Sequence, residues 1–164
     1  VPAAIGRTMD DFDQYYTMSR RFDMQTSARN QFLGTVSAVK KGAVNAEVIL
    51  DIGNGAELAA IITNDSADHL ALEVGSEAYA LVKAQWIILT VETNFKTSAR
   101  NSLTGTVVRC QEGAVNAEVV IELPGGKTVA SIITNESVKT LGLKEGLRAT
   151  AMIKASHIIL AVPA

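Results

Sequence analysis

The chain has 164 residues, of which 48% are hydrophobic and 20% are charged, and its formal net charge at pH 7 is -2. This balance is typical of a globular protein and excludes a disordered chain. Because the net charge is slightly negative, no basic field is available to attract nucleic acid or an anionic membrane surface.

No apolar run approaches the roughly 20 residues that cross a bilayer, and the N-terminus lacks the basic and apolar regions of a secretion signal. The single cysteine, Cys110, cannot form a disulfide within the chain. A reducing compartment suits such a chain, so we expect a cytoplasmic protein with a buried thiol.

Residues 1–25 predict one helix. Four apolar side chains recur at spacings of three, three and four residues, which places them on one helical face. They are Phe12, Tyr15, Met18 and Phe22. We expect a helix that packs on a barrel or on a partner subunit, and a connector to an upstream domain is compatible with the same pattern. The chain begins at Val1 without an initiator methionine, which suggests a piece of a longer protein.

Residues 26–89 align with residues 97–160 without a gap when the chain is shifted by 71 positions, and 32 of the 64 aligned residues are identical. Self-similarity at this level defines a tandem repeat. The shared segments include TSARN, GAVNAEV and IITN. We therefore divide the chain into a linker or packing helix at 1–25, a first domain at 26–91 and a second domain at 97–162.

Each repeat contains three runs rich in Val, Ile, Leu and Thr, then a short polar segment, then two more such runs. In the first repeat the runs are GTVSAV, AEVILDI, AELAAIIT, EAYALVKA and WIILTV. Such runs between Gly- and Asn-containing turns predict strands. The polar segment predicts a short helix, capped by Asn64 or Ser66 and, in the second repeat, by Asn135 or Ser137. We expect an all-β chain of two tandem OB-type, five-stranded Greek-key barrels, each with one short helix.

The polar residues of the shared segments form a set of hydrogen-bond donors. Ser27 and Arg29 lie in TSARN, Thr63 ends IIT, and Lys83 and Ala84 follow the fourth run. No Asp or Glu lies inside these segments, so the set suits a tetrahedral oxyanion that carries no proton. Phosphate near neutral pH retains a proton and needs an acceptor, whereas molybdate, tungstate and sulfate do not. In a purely structural alternative, Thr and Ser bond the backbone and Arg pairs with a surface carboxylate.

TSARN, KKGAVNAEV, IIT and finally VKA or IKAS together resemble the molbindin (Mop, TOBE-type) domain, over residues 26–162. The resemblance implies barrels that bind molybdate or tungstate at their interfaces, with no organic cofactor and no metal ligated directly by the protein. It implies ligands in both repeats. They are Ser27, Arg29, Thr63, Lys83, Ala84, Ser98, Arg100, Thr134, Lys154, Ala155 and Ser156. The first repeat has Gln85 where the second has Ser156, so it lacks a hydroxyl at this position.

The resemblance also implies a homo-oligomer in which SARN comes from one barrel and the KA strand from another, so that the anion stabilises the assembly. The segment MSRRFDMQTSARNQF resembles the linker helix that leads into the molbindin unit of the bacterial molybdate-responsive transcription regulator. We therefore favour the effector portion of that regulator, a dimer that contacts DNA only through an upstream domain and does not contact a membrane. The alternative is a stand-alone cytoplasmic molybdate storage protein, for which a higher oligomer is compatible.

Two other classes of function fit the sequence less well. OB barrels commonly bind single-stranded nucleic acid through aromatic residues in a basic groove, but this chain has eight aromatic residues, several of them N-terminal, and a negative charge. His69 and His157 have no partner at metal-ligand spacing, and no residue lies in a nucleophile motif. We expect a binding protein and not an enzyme. His157 replaces Trp86 of the first repeat, and we expect a half-buried strand residue there.

Overall fold

The computed structural model describes residues 25–164, and the helix predicted for the N-terminal segment lies outside the described residues. The strands of the first repeat are β1 (Asn30–Lys41), β2 (Asn45–Gly53), β3 (Ala56–Thr63), β4 (Glu77–Val82) and β5 (Ile88–Thr90). Those of the second repeat are β6 (Asn101–Glu112), β7 (Asn116–Glu122), β8 (Thr128–Thr134), β9 (Arg148–Ile153) and β10 (Ile159–Ala161).

One short helix lies between the third and fourth strands of each repeat. These helices are α1 (Asn64–His69) and α2 (Asn135–Leu141). A 3₁₀ turn precedes each fifth strand, at Ala84–Trp86 and at Ala155–His157. Within the described part of the chain, no helix has the length and apolar character needed to cross a bilayer.

The strands form two five-stranded antiparallel sheets, which confirms the predicted all-β class and the two five-stranded units. The strand orders are β10-β4-β1-β2-β3 and β5-β9-β6-β7-β8. β1 pairs with both β2 and β4, so the long first strand is central to its sheet. β10 also lies close to β3, and β5 lies close to β8. Each sheet therefore curves round towards closure, as expected for an OB-type barrel.

Each sheet takes one edge strand from the other repeat. β10 pairs with β4, with Ile159 opposite Leu81, and β5 pairs with β9 in the same way. The sequence predicts both fifth strands but not their exchange, because β5 and β10 both begin with Ile-Leu and offer the same backbone bonds to either sheet. The limits 26–91 and 97–162 therefore describe the sequence repeats, whereas each sheet contains strands of both.

The core follows the alternation of side chains along the strands. In β2 the side chains of Val48, Leu50 and Ile52 are buried and those between them are less so. Val119 and Ile121 take the same positions in β7. A period of two is the pattern of strands that present one face to a core. Buried residues of both repeats belong to one apolar cluster, so the two barrels pack as one unit.

Two buried asparagines fasten the sheets to each other. Asn30, 3% exposed, accepts a hydrogen bond from Ala130 N at 2.7 Å and donates one to Ala130 O at 2.9 Å. Its amide also donates to Val82 O at 3.2 Å. Asn101 bonds Ala59 N and O in the same way, at 2.7 Å and 2.9 Å. A primary amide offers both a donor and an acceptor, so each asparagine bonds the partner strand as a neighbouring backbone would.

Two glycines retained in the GTV segments permit a close approach between strands. A Cβ on Gly105 would lie 2.2 Å from Glu122 O, and a Cβ on Gly34 would lie 2.9 Å from Asp51 O. The register of both central strands shifts shortly after these glycines. Glycine is therefore required where each 12-residue strand bends across its neighbour.

The asparagine contact can be tested by changing one atom group. Asn30→Asp replaces the amide donor with a carboxylate that faces two carbonyl oxygens, those of Val82 and Ala130. We expect the free energy of unfolding to fall by about 3 kcal/mol or more, because a buried charge without a partner is costly. Urea denaturation measures this. Asn94→Asp, at an exposed position, is the control. Equal losses in both variants would contradict the role given to Asn30.

The glycine contact predicts a graded effect. We expect Gly105→Ala to lower the free energy of unfolding by about 1 to 3 kcal/mol through overpacking, since its methyl group meets backbone and not a flexible side chain. Gly34→Ala should cost less, because the approach there is longer. Thermal unfolding of the two variants measures the difference, and the reverse order would show that the close approach does not limit the packing.

Candidate functional site

The SARN and KA segments of one repeat lie side by side at the same end of a sheet. β1 and β4 are antiparallel, with Asn30 opposite Val82. Arg29 precedes β1 and Lys83 follows β4, so the two cationic residues leave the sheet next to each other. β6 and β9 pair in the same register, which brings together the arginine and lysine of the second repeat.

The other repeat supplies hydroxyl groups to this end of the sheet. The 3₁₀ turn that begins at Ala84 lies against β8. Its second residue, Gln85, lines a cavity of about 300 Å³ together with Thr134 and Ser137. Thr134 ends β8 and Ser137 lies in the first turn of α2. The end of this strand and the start of this helix therefore both lie beside the turn that follows Lys83.

The equivalent cavity is formed by the 3₁₀ turn of the second repeat and the helix start of the first repeat. Ser156, in the second 3₁₀ turn, lines a cavity of about 560 Å³ with Thr63 and Ser66 of the first repeat. Isoleucines form much of the wall of both cavities. Each cavity is therefore polar at the threonine and serine and apolar along its strands.

We group the residues around each 3₁₀ turn into two clusters, which are candidate sites of mixed origin. Arg29 itself lines a neighbouring cavity with Glu118, and Ile132 lies in the walls of both cavities. The Arg29 site comprises Arg29, Lys83, Ala84 and Gln85 of the first repeat with Thr134 and Ser137 of the second. The Arg100 site comprises Arg100, Lys154, Ala155 and Ser156 of the second repeat with Thr63 and Ser66 of the first. Within one chain the SARN and KA segments of the same repeat lie side by side, and the threonine end comes from the other repeat. The expectation that SARN of one barrel meets the KA strand of another barrel in an oligomer stays a prediction.

The two threonines cap the helices, in place of the predicted asparagine or serine. Thr63 Oγ1 accepts a hydrogen bond from Ser66 N at 3.0 Å and donates one to Ser66 Oγ at 2.9 Å. Thr134 and Ser137 form the same pair. The threonine hydrogen is used inside the pair, so the hydroxyl hydrogen that remains for a ligand belongs to the serine. Ser66 and Ser137 were missing from the predicted site, although both repeats retain them in the pattern T-N-x-S.

A carboxylate forms an ion pair with each site arginine, whereas we expected a site that contains hydrogen-bond donors and no carboxylate. Arg29 Nη2 pairs with Glu118 Oε2, and Arg100 Nη1 pairs with Glu47 Oε2. Each glutamate belongs to the GAVNAEV segment of the opposite repeat, so no local sequence pattern indicates the contact. The purely structural alternative, in which Arg pairs with a surface carboxylate, describes this arrangement. Arg109 adds a second cation beside Glu118, with its Nε 3.1 Å from Oε1.

The two 3₁₀ turns meet through an aromatic contact. The rings of Trp86 and His157 have centroids 4.9 Å apart at an angle of 32°. Lys83 Nζ lies 5.7 Å from the centre of the Trp86 ring, within reach of a cation–π attraction. Trp86 therefore packs beside Lys83. His157 is half-buried as predicted, but it lies in the turn and not in a strand.

The remaining predicted residues are the serines that precede each arginine and the alanines that begin the 3₁₀ turns. Ser27 and Ser98 are exposed two positions before each arginine. In both segments the preceding threonine Oγ1 accepts a bond from the following alanine N, at 2.9 Å and 3.1 Å, which turns the chain ahead of the arginine. Ala84 and Ala155 are both 3% exposed and begin the 3₁₀ turns.

Other reactive groups of the described residues lie outside the clusters. Burial, together with Glu112 and Glu145, raises the pKa of the Cys110 thiol, which keeps it protonated near neutral pH. In residues 25–164 no group of three or more His, Cys, Asp or Glu is arranged to hold a metal ion. The donors of the two clusters are therefore the features that point to a ligand.

Comparison with known proteins connects this geometry to a family. The TOBE domain profile matches residues 26–89 and 97–160. The solved structure of the cytoplasmic molybdate-binding protein ModG, with molybdate bound, is 53% identical to the chain, with a TM-score of 0.83, and covers 85% of this chain and 100% of that one. This likeness agrees with the tandem barrels predicted from the sequence.

Two curated relatives extend the comparison. The molybdenum transport protein ModE of Azotobacter vinelandii is 43% identical over 155 residues, which are 94% of this chain and 57% of the relative. The DNA-binding transcriptional dual regulator ModE of Escherichia coli (strain K12) is 35% identical over 143 residues, 86% of this chain and 53% of the relative. The chain spans about half the length of the curated relatives it matches.

Proposed function

Because the chain belongs to the TOBE domain family, we propose that it binds molybdate, or tungstate in its place, at the Arg29 and Arg100 sites. The proposal rests above all on one observation: the arginine and lysine of each repeat leave the sheet side by side, and the 3₁₀ turn that follows the lysine lines a cavity with the threonine–serine hydroxyl pair of the other repeat. Binding of the oxyanion, without catalysis, is the role that we assign to the chain.

The chemistry of the sites suits a dianion. Arginine and lysine supply two positive charges, and the serine of each hydroxyl pair supplies a neutral donor. Charge-assisted hydrogen bonds contribute about 1.5 to 3 kcal/mol each, so five or six offset the loss of the anion's hydration. A dissociation constant at or below about 1 μM, roughly 8 kcal/mol, is the affinity that we expect. We keep the predicted ligand residues and add Ser66 and Ser137.

We further propose that a second copy of the chain covers these sites. The arginines, the lysines and Ser27 and Ser98 are exposed on the single chain, where water would compete for the anion. Ile88 and Ile159, 61% and 58% exposed, lie in the walls of the two cavities and offer apolar surface for the contact. A homo-oligomer follows, in which ligand binding and assembly are linked.

The cellular role that we favour is the effector-sensing part of a molybdate-dependent transcription regulator in the cytoplasm. The alignment with the Azotobacter relative covers 94% of the chain and therefore reaches into the segment before the repeats, whereas the alignment with ModG covers 85%. A stand-alone molybdate storage protein is the alternative, supported by the full coverage of ModG. DNA binding by the full-length protein, measured with and without molybdate, separates the two roles.

The ligand and its sites can be tested by calorimetry. We expect molybdate and tungstate to bind and sulfate and phosphate to bind more weakly. Ser66→Ala should weaken molybdate binding at the Arg100 site by about tenfold or more, the loss expected for one charge-assisted hydrogen bond. Thr63 remains as helix cap in this variant, so the fold is retained.

Ser102→Ala is the matched control, because Ser102 is exposed and lines a different cavity. Unchanged affinity in Ser66→Ala would remove the hydroxyl pair from the site. Unchanged affinity in the double variant Arg29→Ala with Arg100→Ala would show that both sites are misplaced. Equal competition by sulfate would contradict the selectivity. The mass of the assembly with and without molybdate tests the oligomer.

A further inference from the structure

The ion pairs of the site arginines connect the two repeats in both directions. Glu118 of the second repeat holds Arg29 of the first, and Glu47 of the first holds Arg100 of the second. The glutamate side chains are 17% and 30% exposed and the arginines about half exposed, at 51% and 48%. The glutamates are therefore fixed against the sheet surface, while the guanidinium groups have room to move.

The geometry allows an arginine to reach either the glutamate or the hydroxyl pair. Glu118 pairs directly with Ile132, and Thr134 lies two residues further along β8, on the same face. Two residues of a strand span about 7 Å, a distance that a guanidinium covers by rotation of its side chain. Asn30 fixes the backbone beside Arg29 throughout. The same spacing separates Glu47, opposite Ile61, from Thr63.

We propose that Glu118 and Glu47 are internal counterions. They pair with Arg29 and Arg100 in the anion-free protein and release these arginines when the oxyanion binds. This inference rests on the proposed function. A half-exposed ion pair contributes little to stability, so its loss opposes binding only weakly. An incoming dianion attracts the arginine and the neighbouring lysine together, which favours the exchange. The glutamates thus set the affinity through the arginines and do not contact the anion.

One residue makes the two exchanges unequal. Arg109 bonds the second oxygen of Glu118 and is itself held by Gln111. The equivalent position of the first repeat is Ala38, which offers Glu47 no such cation. Glu118 therefore still pairs with Arg109 when Arg29 moves to the anion. Because Glu118 interacts with two cations, its ion pair with Arg29 is weaker than the pair between Glu47 and Arg100. Removal of the glutamate should consequently change the Arg100 site more than the Arg29 site.

The test removes each carboxylate without changing its shape. In the absence of any oxyanion, we expect Glu47→Gln to raise the rate at which phenylglyoxal modifies Arg100 by about threefold, the size of one half-exposed ion pair. Peptide mass spectrometry measures this rate. Molybdate affinity at the Arg100 site, titrated in a Lys83→Ala background, should rise by a similar factor. Glu118→Gln should give smaller changes at Arg29.

Matched controls separate the ion pair from a general change in charge. Glu57→Gln, in β3 but lining a different cavity, is the control for Glu47. Glu112→Gln, which lines the same cavity as Arg29 without bonding it, is the control for Glu118. Arg109→Ala provides a variant that leaves both glutamates in place. It should slow the modification of Arg29 and weaken molybdate binding at that site.

The outcomes distinguish the two proposals. If the glutamine variants change neither arginine modification nor affinity beyond their controls, the counterion role is wrong although molybdate still binds. If Glu47→Gln weakens binding, the glutamate positions the arginine for the anion and does not compete with it, which also overturns the inference. If molybdate binds none of the proteins, the proposed function fails, while the modification rates still report on the ion pairs.

Discussion

The buried amides of Asn30 and Asn101 are the contacts on which the rest of the arrangement depends. Each one bonds the backbone of the opposite repeat as a strand would, at 2.7 Å and 2.9 Å, and holds the end of the fourth or ninth strand through a third bond. The adjacent arginine is therefore placed over the other repeat's sheet. A buried polar group of this kind is tolerated because all its partners are present.

This constraint explains why neither repeat can form a complete site within itself. The amide brings the SARN end of one repeat onto the third strand of the other, where the threonine–serine pair begins a helix. The exchanged fifth strands form a second connection between the two repeats. An isolated repeat would lack the hydroxyl pair, the glutamate and the edge strand that the other repeat supplies. The two-repeat unit is therefore the smallest part of this chain that contains either proposed site.

Sequence reasoning recovered what depends on local pattern. The repeats, the ten strands, the two helices and the retained polar segments follow from composition and alternation. The exchange of strands could not be predicted, because two edge strands that begin with the same residues fit either sheet. The glutamate partners were missed because they lie 89 and 53 residues from their arginines. The serine of T-N-x-S, which we propose as a ligand, is retained in both repeats beside the predicted threonine, so the sequence pattern was sufficient to indicate it.

The differences between the repeats lie around the sites as well as on the surface. Both repeats retain the arginine, lysine and hydroxyl pair of each proposed site, whereas Gln85 of the first repeat is replaced by Ser156 in the second, and Ala38 by Arg109. Ser131, fully buried, also bonds Ile87 O at 3.0 Å, where the first repeat has Ala60. If both sites hold the same oxyanion, as proposed, these neighbours give them unequal affinities. Unequal sites fill over a wider range of ligand concentration than equal ones do.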